Sequence, residues 1–220
     1  MQLFLRFLRE EAPKAERLYI LGDFFEYWLG PKHLTLDEHR EVLEALRSLS
    51  ASGAGVFFIA GNRDFLFDPP TGRRFGITVL GSGQVVELDG RRFYITHGED
   101  LVTPTRRHSI YCALVRNPVV TAMLKVLPVW VSKPLAERFR QLSTGRNKCA
   151  RTRPGSRQLR RIGRRGVDEI VSGHLHYPEQ VTLSSGTRLT LLGPWKEEGW
   201  FALWNGRQLQ LLPFAPQGLS

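Results

Sequence analysis

The stretch Leu18-Tyr19-Ile20-Leu21-Gly22-Asp23-Phe24-Phe25-Glu26 sets four apolar residues before a glycine, a carboxylate and two aromatics. It reads as a buried strand that stops abruptly and delivers Asp23 to the end of a sheet. The same plan recurs downstream. Val56-Phe57-Phe58-Ile59 leads into Gly61-Asn62-Arg63-Asp64, Phe93-Tyr94-Ile95-Thr96 into His97-Gly98, and Ile170-Val171-Ser172 into Gly173-His174-Leu175-His176. Sheets with parallel strands build their sites from strand ends. An Asp, an Asn and three His therefore meet at one rim, and these are metal-ligand types.

The segments between these strands constrain the connections. Leu3 to Glu11 reads as a short amphipathic helix that stops before Pro13. Thr35-Leu36-Asp37-Glu38 has the pattern of a capping box, and the stripe Val42, Leu43, Leu46, Leu49 runs to a stop at Gly53. Strand, helix, strand in that order predicts a parallel crossover. Asp89-Gly90 between two β-prone runs predicts a tight hairpin. Residues 105–166 turn helical and basic, broken at Asn117-Pro118 and Leu127-Pro128. The chain then returns to strands at Gln180–Leu183, Arg188–Leu192, Trp200–Trp204 and Gln208–Leu212. The fold class this predicts is an α/β sandwich, one domain over residues 1–220 with a helical, basic insert at 105–166.

Charge is concentrated rather than spread. The chain carries a formal +10, and between Lys133 and Arg165 twelve Lys or Arg stand against Glu137 alone, so this one segment holds the whole excess. Its partner should be anionic: nucleic acid, a phosphate-bearing substrate or an acidic membrane surface. No run approaches the roughly 18 apolar residues of a spanning helix, and Met1 to Glu11 lacks the form of a secretory signal. Cys112 and Cys149 show no zinc-like spacing, which fits reduced thiols in the cytosol.

Oxygen and nitrogen ligands without thiolates suit Mn, Fe, Co or Zn. Two such ions about 3.5–4 Å apart clamp a phosphate, make hydroxide from water and neutralise both the attacking and the leaving oxygen. Asp23, with two oxygens, is suited to bridge them, and Asn62 offers a neutral oxygen. Arg63 either steadies developing charge on phosphorus or is a surface arginine. The imidazoles of His174 and His176 either share one ion, face one each, or are a surface pair.

Gly22-Asp23-Phe24-Phe25-Glu26, Gly61-Asn62-Arg63-Asp64, His97-Gly98 and Gly173-His174-Leu175-His176 resemble four motif blocks of the calcineurin-like metallophosphoesterases. Leu18 to Gly30, Gly61 to Phe67 and Leu192 to Gly199 resemble one branch of them, the UDP-2,3-diacylglucosamine diphosphatases of lipid A synthesis. The resemblance implies a four-layer α/β/β/α sandwich and two Mn ions. It implies hydrolysis of the pyrophosphate of UDP-2,3-diacylglucosamine to UMP and 2,3-diacylglucosamine 1-phosphate. Asp23 would bridge the ions, Asn62, His97 and His174 would complete one site and His176 the other. Arg63 would join Asp23, Asn62 and His97 in catalysis, and Asn62, Arg63, Ser143, Asn147 and His174 would contact substrate. A lysine of the family falls at Ala150, with Lys148 or Arg151 as its stand-in.

The resemblance also implies a lid that holds acyl chains and rests on the cytoplasmic face of the inner membrane. The residues agree: Val119, Val120, Met123, Leu124, Val126, Leu127, Val129, Trp130 and Val131 form an apolar stretch directly before the basic segment, as an interfacial element does. The alternative is a core helix beside a solvated basic face. The expected partners are therefore a lipid-linked nucleotide sugar and an anionic membrane surface, with no protein partner and no nucleic acid.

Several positions depart from the family pattern. Its opening strand ends in Asp-x-His, and none precedes Asp23; Met1 falls in what would be the next helix, so the expectation is a start further upstream. Glu99 stands for an Asp, Thr105 for a substrate-contacting Asp, Leu175 for a Thr and Tyr177 for an Arg. Two rival readings remain: a metallophosphoesterase acting on a soluble nucleotide or phosphodiester, and a non-catalytic homologue that binds membrane or nucleic acid.

Overall fold

In the computed structural model, residues 1–103, 117–128, 130, 131, 134 and 153–215 are described. The chain opens with helix α1 (Gln2–Glu10), which buries Leu5, Phe7 and Leu8. Strand β1 (Arg17–Ile20) follows, then helix α2 (Asp37–Ala51) and strand β2 (Gly55–Ile59). The predicted parallel crossover is formed: β1 pairs with β2 in parallel, Leu18 opposite Val56. A short helix α3 (Pro69–Arg74), capped by the Asp68 carboxylate on Thr71 N at 3.0 Å, leads to β3 (Ile77–Leu80), also parallel to β2.

The predicted capping box does not form. Pro31 to Thr35 closes a turn of 3-10 helix, and the Thr35 hydroxyl donates back to the Lys32 carbonyl at 2.9 Å. Leu36 is left as the residue before α2, without a side-chain cap. The helix ends as expected, with Gly53 at φ 105 just past its last turn.

Strands β4 (Gln84–Leu88) and β5 (Arg91–Thr96) form the hairpin at Asp89-Gly90. Both turn residues have positive φ, 49 and 76, as a tight turn of this hand requires. The second sheet continues with β6 (Glu169–Ser172), β7 (Glu179–Thr182) and β8 (Arg188–Leu191) in the order β4-β5-β6-β8-β7. Its three inner strands are parallel and its two outer ones antiparallel. Strands β9 (Gly199–Trp204) and β10 (Leu209–Phe214) pair antiparallel as a separate ribbon.

Three apolar clusters define the layers. One packs Leu8, Leu43, Leu46 and Phe58 between the helices and the first sheet. A second, with Leu21, Ile59, Phe93, Ile95 and Val171, lies between the two sheets. The third packs Ile162 of a helix (Ser156–Gly163) against Ile170 and Leu191 on the far side of the second sheet. Helix, sheet, sheet, helix is an α/β sandwich, as the pattern predicts, with the four layers that the resemblance implies. Between residues 105 and 166, a further helix (Pro118–Val126) begins at an Asn117 side-chain cap and precedes the helix Ser156–Gly163. Taken in chain order these two are α4 (Pro118–Val126) and α5 (Ser156–Gly163). Residues 104–116 and 135–152, with Cys112, Ser143, Asn147, Lys148, Cys149, Ala150 and Arg151, lie outside the described residues, as do Thr105, Val129 and Lys133.

Candidate metal centre

Two glycines let the first two strand-end loops touch. Gly22 follows Leu21 at φ 78, and a Cβ placed there would lie 2.5 Å from Gly61 N and 2.7 Å from His97 Nδ1. A Cβ on Gly61 would lie 2.4 Å from Asp23 N and 2.5 Å from Asp23 Oδ1. Only hydrogen fits in either position. The pair thus brings the Asp23 loop, the Asn62 loop and His97 into contact.

Asp64 ties these loops from beneath. Its fully buried carboxylate accepts from Gly61 N at 2.7 Å and Phe24 N at 2.7 Å, and from Asp23 N and Phe25 N at 3.3 Å each. Burial, then the nearby Asp23 charge, pushes its carboxyl up to about 6 against the opposing pull of those amide bonds. Sequence reasoning gave Asp64 no role. The signal was present in its spacing, a carboxylate three residues past Gly61 that can turn back onto that residue's amide.

On this base the donors converge. His97 Nδ1 lies 2.7 Å from the Leu21 carbonyl and donates to it, which turns Nε2 toward Asp23 and His174. That Nε2 stands 3.7 Å from Asp23 Oδ1 and 3.2 Å from His174 Nδ1, and the Asn62 amide is 3.3 Å from His174 Nδ1. Asp100 supports the His97 strand end by accepting from Thr96 Oγ1 at 2.7 Å and from the Tyr94 hydroxyl. Ser172 Oγ donates to the His97 carbonyl at 3.2 Å, linking that loop to the one bearing His174. The sequence reading assigned no function to Asp100, Thr96 or Ser172.

Strain gathers here too. The non-glycine residues with positive φ, among those described, are Asp23 (51), His174 (64), His176 (57) and Asp89 in the hairpin. Left-handed backbone at an ordinary residue is costly and is retained where it aims a side chain. His176 faces Asp23, Arg63, His97 and Lys196, and burial lowers its pKa. Arg63 spans the edge: its backbone N donates to Asp23 Oδ1 at 3.0 Å, Nε lies 3.6 Å from Asp23 Oδ2 and the guanidinium reaches Glu26 at 3.3 Å.

The structure therefore brings Asp23, Asn62, Arg63, His174 and His176 to the wall of a cavity of about 2290 Å³, with His97 buried behind them, 3.7 Å from Asp23. Among the described residues no three His, Cys, Asp or Glu stand as a ready-made cage. They touch one another instead, and it is those contacts that identify the set. The chemistry of one cluster fits a divalent ion: Asp23 and Asn62 oxygens with the His97 and His174 nitrogens, His97 already turned by a carbonyl. For a second ion the described residues offer Asp23 and His176.

Stacked sheets carrying these loops on one rim define a metallophosphoesterase fold. No protein-family model matches the chain. It is 39% identical over 207 residues to the UDP-2,3-diacylglucosamine hydrolase of Edwardsiella ictaluri, covering 89% of this chain and 78% of the relative. To the proteins of that name from Salmonella enteritidis and Ectopseudomonas mendocina it is 35% and 33% identical, each over 96% of this chain and 90% of the relative. The chain belongs to the UDP-2,3-diacylglucosamine hydrolase family. Among solved structures, an archaeal phosphodiesterase aligns at 11% identity and TM-score 0.44, over 95% of this chain and 88% of that one. The vacuolar protein sorting 29 of Cryptosporidium parvum aligns at 12% and 0.43, over 98% of this chain and 89% of that one.

Proposed function

We propose that this chain hydrolyses the pyrophosphate of UDP-2,3-diacylglucosamine, giving UMP and 2,3-diacylglucosamine 1-phosphate in lipid A synthesis. The observation that carries the reading is the convergence of four donors: His174 Nδ1 stands 3.3 Å from the Asn62 amide and 3.2 Å from His97 Nε2, which in turn stands 3.7 Å from Asp23 Oδ1. In this proposal Asp23 would contribute to the binding of two divalent ions, manganese being the expected metal. Asn62, His97 and His174 would hold one ion and His176 would contribute to the other. Bound ions would supply Lewis acidity and a nucleophilic hydroxide near neutral pH.

The chain's own residues supply the rest. The Leu21 carbonyl accepts from His97 Nδ1 and so turns Nε2 toward the reaction centre. Arg63, held at the rim by Asp23 and Glu26, has a guanidinium placed to pair with phosphate oxygens when substrate displaces those contacts. Asn62 adds an amide at the same edge, and Ser143 and Asn147 are proposed as further substrate contacts.

The lid reading is supported by α4. Leu124 is buried in the first core, while Val119, Met123, Val126 and Trp130 are 67%, 61%, 81% and 79% exposed. An apolar face turned outward beside a basic segment suits acyl chains and an anionic surface, and we propose a peripheral seat on the cytoplasmic face of the inner membrane. No helix among the described residues is long and apolar enough to cross a membrane. The test is UMP release from UDP-2,3-diacylglucosamine by the purified protein with Mn. Asp23→Ala should abolish it, and unchanged turnover would refute the assignment.

A further inference from the structure

Helix α4 is an apolar wall with a slight hold on the body. At 9 residues it is shorter than the roughly 12 at which a helix begins to persist in water by itself, so contacts outside the helix decide whether it forms. Leu124 is its one buried side chain, and Val120 and Leu127 pack partly buried against the same core. Val120, Met123, Leu124 and Leu127 also line the cavity whose wall carries Asp23, Asn62 and His174.

The end of this helix lacks a donor. The Leu124 carbonyl would ordinarily accept from the backbone of residue 128, which is a proline and has no N–H. The Lys32 ammonium takes that place, donating to the carbonyls of Leu124 and Leu127. A cation there also meets the negative end of the helix. The turn that carries Lys32 is fixed from within: Pro31 opens it, and His33 is fully buried and accepts from Leu29 N at 3.3 Å. Lys125 of the helix runs across Gly30, where a Cβ would stand 3.5 Å from its Cγ, and its ammonium lies 3.8 Å from the Asp68 carboxylate.

Both anchors belong to the segments that leave the metal centre. Lys32 lies on the segment that continues from Asp23 through Trp28, and Asp68 on the one that continues from Asn62 and Arg63. Trp28 N bonds to Arg63 O at 2.8 Å and ties the two together. The end of α4 thus rests on the same pair of loops that present Asp23 and Asn62.

We propose that Lys32 and Asp68 are positioning residues for acylated substrate: they fix the apolar wall of α4 relative to the metal centre, so that acyl chains and pyrophosphate are met together. This rests on the reading of the chain as a hydrolase of a diacylated nucleotide sugar. Neither residue touches the reacting atoms. With the anchors in place the wall is preformed; without them the substrate must order α4 as it binds, which raises KM and leaves kcat. A substrate with acetyl groups in place of long chains makes no use of the wall.

The experiment compares UMP release from UDP-2,3-diacylglucosamine and from its diacetyl analogue. Lys32→Met should raise KM for the long-chain substrate about ten-fold, hold kcat within about two-fold, and leave KM for the analogue unchanged. Lys32→Arg, which keeps the cation, should restore the parent KM. Asp68→Asn, which keeps an oxygen for the Thr71 cap, should raise KM about two-fold. Amide exchange across β2 reports that each variant is folded. Equal losses on both substrates would overturn the positioning role, as would an unchanged KM or a loss confined to kcat. Equilibrium binding of the same two nucleotide sugars, with metal removed by EDTA so that no turnover intervenes, separates this role from the reading beneath it. A parent that releases no UMP with Mn refutes the hydrolase reading alone. In that case a rise of about ten-fold in Kd for the long-chain sugar in Lys32→Met, with none for the analogue, still supports the role. Equal Kd values in parent and variant, or no binding of the long-chain sugar by the parent, overturn it.

Discussion

Gly61→Ala tests whether the close approach of two loops, rather than the ligands alone, makes the site. The added carbon would stand 2.4 Å from Asp23 N, 2.5 Å from Asp23 Oδ1 and 2.9 Å from His97 Cε1. Opening the first of these to the 3.4 Å of ordinary contact requires a displacement of about 1 Å. Both nearest atoms belong to Asp23, whose loop is pinned by Asp64 from the other side, so neither can swing away as a flexible side chain would. Overpacking of this kind costs about 1–3 kcal/mol. A misplacement of about 1 Å at reacting groups costs about a hundred-fold in rate.

Two companion variants separate the causes. Gly53→Ala meets nothing within 4 Å but sits at φ 105, so it should lose about 1–2 kcal/mol of stability and keep full activity. Gly22→Ala combines a clash 2.5 Å from Gly61 N with φ 78 and should lose about 2–5 kcal/mol together with activity. Urea unfolding followed by tryptophan fluorescence gives the stabilities, and UMP release gives the turnover. If Gly61→Ala retains turnover within about three-fold of the parent while remaining folded, the argument from loop approach fails.

His33 is buried, its Nδ1 accepts from Leu29 N at 3.3 Å, and burial, then His39 and Lys32, depress its pKa to about 4. The folded state therefore favours neutral imidazole. The stability this contributes is complete above the ordinary pKa near 6.5 and is lost as pH falls toward 4, by about 3 kcal/mol in all. His33→Gln should flatten that part of the stability curve, and an unaltered slope would refute the attribution. The Lys32 ammonium donates to the carbonyls of Leu124 and Leu127 at the end of α4, and Lys125 lies 3.8 Å from Asp68. Lys32→Met should speed amide exchange in α4 by about ten-fold or more without changing exchange in β2; equal exchange would show that the apolar contact of Leu124 holds the helix alone. Phe58→Ala, which removes a buried ring packed 4.8 Å from Phe67, should cost about 3–5 kcal/mol in urea unfolding. A loss below about 1 kcal/mol would mean that the first core collapses to fill the space.

The layered fold was legible because its signals are local and repeated. Four apolar runs that stop at polar residues, one helical stripe between two of them and one Asp-Gly turn were enough to give the first parallel crossover and the hairpin. The capping box was misread for a physical reason. Thr35 can bond either forward to the start of α2 or back to Lys32, and Pro31 pre-sets the 3-10 turn that decides for the latter. The lengths of the last strands shifted by one or two residues, since a ribbon's ends depend on its partner and not on its own composition.

The site was legible as a set of residue types but not as a machine. Asp23, Asn62, His97 and the two later imidazoles announce themselves because each ends a strand. The groups that hold them do not, because their value lies in contacts across the chain: Asp64 reaches amides 39 to 41 residues away, and the Leu21 carbonyl fixes a ring 76 residues on. A donor set can be read one residue at a time, whereas its orientation is a property of pairs. The left-handed backbones at Asp23, His174 and His176 belong to the second kind. The hydrogen bonds that Asp64 accepts and the absence of a Cβ at Gly22 and Gly61 hold the Asp23 loop in place, and those that Asp100 accepts hold the strand end before His97. Changes to these four residues should therefore disturb the centre as strongly as changes to the donors themselves.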